Sequence, residues 1–129
     1  MSPQRQELIN YRRQKAKDAL NAARVLLDSG SLLAAVNRVY YALFYEVMAL
    51  LLTKDLKPST HTGTKALFNQ HLVKAGPLDP SWGKFYANMF DYRQEADYAD
   101  FVELDGVKIR QWLERADAFI VEVEKLFDP

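Results

Sequence analysis

An all-α bundle is the fold class this sequence predicts, on three observations. Apolar residues recur at steps of three and four in one segment after another. Gly and Pro number only 5 each in 129 residues and fall mostly at the joints, and the hydrophobic share is 49%, with 7 Tyr, 7 Phe and 2 Trp. Helical periodicity punctuated at its joints argues against both disorder and a turn-rich β architecture. A chain of this length makes one domain, residues 1–129, and buries roughly two-thirds of the surface its unfolded state exposes. We expect about five antiparallel helices in a four-helix-bundle-like arrangement.

The first helix spans Gln6 to Asp28, where Leu8, Tyr11, Ala16, Ala19, Leu20, Ala23, Leu26 and Leu27 form one face and charges occupy the other. Ser29-Gly30-Ser31 ends it, with Gly as the stop and Ser31 as the expected N-cap of the next. Leu32 to Thr53 is apolar nearly all round and must be the central helix. Lys57-Pro58-Ser59-Thr60 interrupts, and Thr60 caps a third helix from His61 to about Val73, closed by Ala75-Gly76-Pro77. Asp79-Pro80 is a strong start, an acidic cap with Pro at the first helical position, for a fourth helix to about Asp97. After an acidic connection, Asp105-Gly106 opens a fifth, whose apolar stripe runs from Ile109 through Trp112, Leu113, Ala116, Phe119, Ile120 and Val123 to Phe127.

No run reaches the eighteen or so uninterrupted apolar residues that span a bilayer, and Ser2 to Glu7 lacks the apolar core of a secretion signal. We expect a cytoplasmic protein with no membrane partner. With 0 Cys there is no disulfide framework and no thiolate or Cys-based zinc chemistry, and neither metal nor cofactor is expected. Net charge is +0, so no global field draws in DNA or another polyanion. The charges are unevenly placed: residues 1–90 hold 12 basic and 6 acidic side chains, residues 91–129 hold 5 and 11. Opposed helix faces that attract one another explain this more simply than a dedicated anion site.

Three groups of residues carry chemistry. Arg93 extends the Phe85, Met89 series by another step of four, which puts a cation on the core-facing stripe, with Asp97 one turn on to pair with it. On the central helix Asn37, Tyr41 and Tyr45 make a polar-tipped stripe, with Arg38 beside it as a second cation. Such a stripe suits a subunit seam, and we expect a homodimer through Tyr41 and Tyr45 together with Trp82, Phe85, Tyr86 and Phe90 of the fourth helix. Thr60, His61 and Gly63 lie at a helix start, where free N–H groups favour an anion; the plainer reading is that Thr60 caps and Gly63 packs.

Taken together, Asn37-Arg38-Val39-Tyr40-Tyr41-Ala42-Leu43-Phe44-Tyr45, Thr60-His61-Thr62-Gly63 with Phe68-Asn69, and Arg93-Gln94-Glu95-Ala96-Asp97-Tyr98 resemble the HEPN family of prokaryotic helical domains over about Ser31 to Phe127. The resemblance implies a dimeric bundle, often paired with a minimal nucleotidyltransferase in toxin-antitoxin-like systems. In ribonuclease members an Arg, a polar residue and a later His form the active motif. Arg93 and Gln94 match the first two, and Tyr98 stands where the His would fall, with no His after His71.

Metal-free RNA cleavage needs a base, an acid and a cation for the charged phosphorane. Arg93 supplies the cation alone, and a tyrosine of pKa about 10 is a poor proton shuttle at neutrality. The residues therefore favour a module that holds nucleotide or RNA phosphate at Arg93, Gln94, Asp97, Tyr98, Arg38, Tyr41, Thr60, His61 and Gly63, working with a nucleotidyltransferase partner. Two alternatives stay open: a weak or conditional ribonuclease using Arg93, Tyr98 or His61, and a structural module in which Arg93 and Asp97 brace the bundle.

Overall fold

The computed structural model describes residues 2–98 and 103–128, and within them the chain is helical with short joints. Helix α1 runs Pro3–Asp28, α2 Leu32–Thr53, α3 His61–Phe68 with a π-helical continuation Asn69–Lys74, α4 Pro80–Tyr98 and α5 Gly106–Glu124. The bundle class is as expected, and most boundaries fall where the caps place them. Asp79 Oδ1 accepts from Ser81 N at 2.8 Å at the head of α4, and Asp105 Oδ1 accepts from Val107 N at 2.9 Å at the head of α5. The amide of Ser81 holds the Asp79 carboxyl below its ordinary range.

Four local differences have physical reasons. Helix α1 starts three residues early because Ser2 Oγ accepts from Arg5 N and Pro3 takes the first turn. Ser31 holds the N-cap position of α2, but its side chain makes no capping hydrogen bond; its hydroxyl accepts from Ser29 Oγ instead. The third helix widens to a π turn from Asn69 and closes at Gly76, where a Cβ would lie 2.4 Å from His71 O and 2.6 Å from Leu72 Cα. Helix α5 stops at Glu124, and Phe127 folds back against Ile9, Ala49 and Leu52. The α1–α2 joint turns through Gly30 at φ 83, a conformation that suits glycine.

Helix α2 is the axis and packs against α1, α3, α4 and α5. By length and composition it could cross a membrane, and 67% of that apolar window is buried inside the bundle. Most of its apolarity is therefore covered within one chain. The interior is tied together by aromatic rings: Tyr40 of α2 lies 6.1 Å from Tyr86 of α4, which lies 5.2 Å from Phe68 of α3, itself 5.8 Å from Phe119 of α5. Fully burying each such ring stabilises the fold by about 1.5–3 kcal/mol.

The charge asymmetry resolves as helix-to-helix pairing. Glu124 of α5 accepts from Arg13 Nε at 2.9 Å and takes Lys17 Nζ at 3.4 Å, Asp117 pairs with Arg24, and Arg110 of α5 reaches Asp28 at 2.6 Å. Basic α1 and acidic α5 face each other, as the simpler reading of the charge distribution had it.

Candidate functional site

Three elements converge on Arg93. Its position, one helical step beyond Met89, drives the side chain inward, where it is only 9% exposed. The guanidinium carbon sits 4.9 Å from the Tyr40 ring centroid and 5.8 Å from that of Tyr41, so α2 gives the cation two aromatic faces. Nη1 meets Asp97 Oδ2 at 3.3 Å, while Nε is buried with no hydrogen-bond partner. Asp97 is the more exposed member of the pair, with its side chain at 30%.

Helix α3 brings in His61. Capping fixes it: Thr60 Oγ1 accepts from Gly63 N at 2.9 Å, which sets His61 as the first residue of the helix and lays its ring 4.5 Å from Phe44. Its Nδ1 shares a 2.8 Å hydrogen bond with the Tyr40 hydroxyl. Burial, helped by the nearby positive charge of Arg93, lowers the His61 pKa. Burial pushes the Tyr40 hydroxyl up to about 12, so it keeps its proton at neutrality. Arg93, Tyr40 and His61 thus form one continuous cluster from three helices.

The remaining candidates divide. Tyr41 and Arg38 join the cluster's rim: Tyr41 lies 5.7 Å from His61, and Arg38 rests 5.0 Å from the Tyr41 ring while bonding Asn37 Oδ1. Thr60 and Gly63 serve the cap of α3, since the Gly63 amide is taken by Thr60 and a Cβ there would meet Thr60 Oγ1 at 2.9 Å. That satisfies one of the N–H groups an anion would have used. Gln94 is exposed, and Tyr98, at 81% exposure, stands off from the core at the end of α4. A cavity of about 500 Å³ beside α4 is walled by Tyr92, Glu95, Ala96 and Trp112 among others, not by Arg93.

Two of the residues expected at a subunit seam face inward instead. Tyr86 is fully buried and Phe90 only 5% exposed within the single chain, because α4 turns them onto α2 and α3. Trp82 and Phe85 are half-buried against Phe119, and Tyr41 and Tyr45 half-buried on α2. Tyr40 was hidden from sequence reasoning, since its spacing placed it with the apolar stripe; a tyrosine where Val and Leu neighbours sufficed was the signal. Glu46 was missed too, a lone carboxylate in an apolar helix. Among the described residues no group of three His, Cys, Asp or Glu side chains is placed to hold a metal ion.

The HEPN domain profile matches residues 9–126. A UPF0332 protein of Thermotoga maritima is 42% identical over 97% of this chain and 95% of its own length. Two Methanocaldococcus jannaschii proteins named as candidate toxins are 33% and 32% identical, over 87% and 88% of this chain and 76% and 78% of theirs. A match spanning all five helices, together with the arginine of α4 set against the tyrosines of α2, places this chain in the HEPN domain family.

Proposed function

We propose that this chain is a toxin-type HEPN module that holds a nucleotide or RNA phosphate at Arg93 and His61 and works as a homodimer with a nucleotidyltransferase partner. The observation that carries the reading is a buried guanidinium with an unpartnered Nε whose Nη1 meets a single carboxylate, that of the more exposed Asp97. Asp97 acts as a placeholder: an incoming phosphate displaces one anion from the guanidinium and takes its seat, with two acceptor oxygens where Asp97 offers one contact. A partly exposed i,i+4 pair is worth only about 0.3–0.5 kcal/mol, so the exchange is cheap.

His61 completes the grip. The Tyr40 hydroxyl retains its proton and its acceptor in reach is Nδ1, which assigns the neutral ring's hydrogen to Nε2. His61 then offers an N–H donor to a phosphate oxygen. The same tautomer makes Nε2 unable to take a proton from a 2′-hydroxyl, which favours binding over cleavage.

Titration with an oligoribonucleotide tests the assignment. Arg93→Met, which keeps the apolar contact with Tyr40, should weaken binding about ten- to a hundredfold with the helical signal unchanged. Asp97→Asn should strengthen it about two- to fivefold. Unchanged binding in both variants, or loss of the fold in both, would return Arg93 and Asp97 to a structural brace. The ribonuclease reading keeps one specific support, a histidine within the Arg93 cluster. Efficient RNA cleavage by the purified protein, abolished by His61→Ala, would put that reading first.

A further inference from the structure

Helix α1 carries two cationic faces, and they differ in their partners. Arg13, Lys17 and Arg24 each meet a carboxylate of α5. Among the described residues Arg12 and Lys15 meet no carboxylate within 4.0 Å, and neither does Arg38 across the groove on α2; Arg12 bonds the Met48 carbonyl and Arg38 bonds Asn37. Asp18, the acid nearest Lys15 along α1, is itself engaged by Gln14. Lys15 and Arg38 instead contact aromatic rings. Lys15 Nζ lies 4.5 Å from the Tyr45 ring and 5.5 Å from that of Tyr11, and Arg38 lies 5.0 Å from Tyr41. Tyr45 is 5.7 Å from Tyr41, and Tyr41 is 5.7 Å from His61. Tyr11 is 61% exposed.

We infer that this face of α1 and α2, from Tyr11 through Lys15, Tyr45 and Tyr41 to Arg38, is a platform for single-stranded nucleic acid that leads into the His61–Arg93 site. Rings alternating with unpaired cations are what an unstacked strand needs, since π-faces accept any base and cations follow the phosphates. A duplex hides its base faces and gains only the charge contacts. A protein partner of opposite charge would use the cations and leave the rings without a reason for their spacing. The inference rests on the phosphate-binding reading for its destination, though not for its own contacts, and it requires the proposed homodimer to pair through Trp82 and Phe85 of α4, leaving Tyr41 and Tyr45 open.

The test is fluorescence titration of the whole chain with an oligouridylate of roughly a dozen nucleotides and with a duplex of equal length. We expect the single strand to bind more tightly. Tyr45→Ala should weaken it about five- to a hundredfold, as loss of one stacked base does. Lys15→Gln and Arg38→Gln, both at half-buried positions, should each reduce the slope of log affinity against log salt by about 0.7. Lys17→Gln, on the paired face, should do neither. If Arg93→Met abolishes binding and the Tyr45, Lys15 and Arg38 variants leave it intact, the platform is overturned and the phosphate site stands. Sensitivity to the platform variants but not to Arg93→Met upholds the platform and removes the site. Should Lys15→Gln or Tyr45→Ala halve the sedimenting mass and leave oligouridylate binding unchanged, the face belongs to a second copy of the chain and the inference fails.

Discussion

Helix α2 has a buried charge-bearing neighbourhood on each of two sides, and the two behave oppositely. Beside Tyr40 and Tyr41, α4 buries the cation Arg93; further along, α2 itself buries Glu46, fully enclosed, with both carboxyl oxygens lacking a hydrogen-bond partner. Arg93 keeps its charge, because a guanidinium never deprotonates in practice and two aromatic faces and Asp97 surround it. Glu46 gives its charge up. Burial first, and then Glu124, as a hydrogen-bond acceptor for the protonated carboxyl and after that as a negative charge, push its pKa up to about 9, against the pull of Arg13 and Lys17. Those two cations already serve Glu124, whose pKa they draw down. A buried charge persists where its chemistry forbids neutralisation, and that persistence leaves Arg93 able to attract an anion.

The largest way to sharpen this contrast is pH. Glu46 binds its proton more tightly folded than unfolded, so its contribution is fully present below the ordinary value of 4.5 and is lost as pH rises through about 9. Unfolding free energy should therefore fall between pH 5 and 9, by on the order of 3 kcal/mol. Glu46→Gln should flatten that decline and be the more stable protein at pH 9. Urea unfolding at the two pH values checks this, and a parent whose stability does not change across the range would mean that Glu46 is ionised and solvated.

A smaller effect separates the two buried tyrosine hydroxyls. Tyr40 has a partner in His61 at 2.8 Å, whereas the Tyr86 hydroxyl makes no hydrogen bond of ordinary geometry and has the Tyr40 hydroxyl as its polar neighbour. Removing the first, Tyr40→Phe, should cost about 1 kcal/mol and leave Nδ1 of His61 without its donor. Removing the second, Tyr86→Phe, should be neutral or slightly stabilising, since an unsatisfied buried hydroxyl disappears. Equal losses from both would show that Tyr86 also has a donor or acceptor in solution.

The two regions differed as well in how far the sequence disclosed them. Helix number, order and most caps were legible because periodicity and cap chemistry are local, as Asp79-Pro80 and Asp105-Gly106 illustrate. Arg93 was legible as a polar break in a helical stripe, and its pairing with Asp97 follows from helix geometry alone. What brings His61 to Tyr40 is the way α3 lies across α2, which no local pattern encodes. Four neighbouring helices pack against the apolar surface of α2 within the chain, and that packing turns Tyr86 and Phe90 of the expected subunit seam inward. Glu46 escaped notice because a single acid among leucines resembles an ordinary exposed position until the packing of α1 and α5 encloses it.

The smallest predicted effect bears most directly on whether Arg93 and His61 form one site. Burial depresses the His61 pKa, and the charge of Arg93 depresses it further. Arg93→Met removes the charge and leaves the burial, so the His61 pKa should rise while staying below its ordinary value near 6.5. The chain has 2 His, and the His61 signals are identified by their disappearance in His61→Ala, so a proton NMR titration reads the shift directly. Stability offers a second reading with a definite sign. A histidine whose folded pKa is lowered contributes stability above the unfolded value and loses it as pH falls through the folded one. The parent should therefore weaken more steeply than Arg93→Met as pH drops below about 6.5. A His61 titration untouched by the substitution would mean that the two groups do not sense one another, and the phosphate would then have to be held by Arg93 without the imidazole beside it.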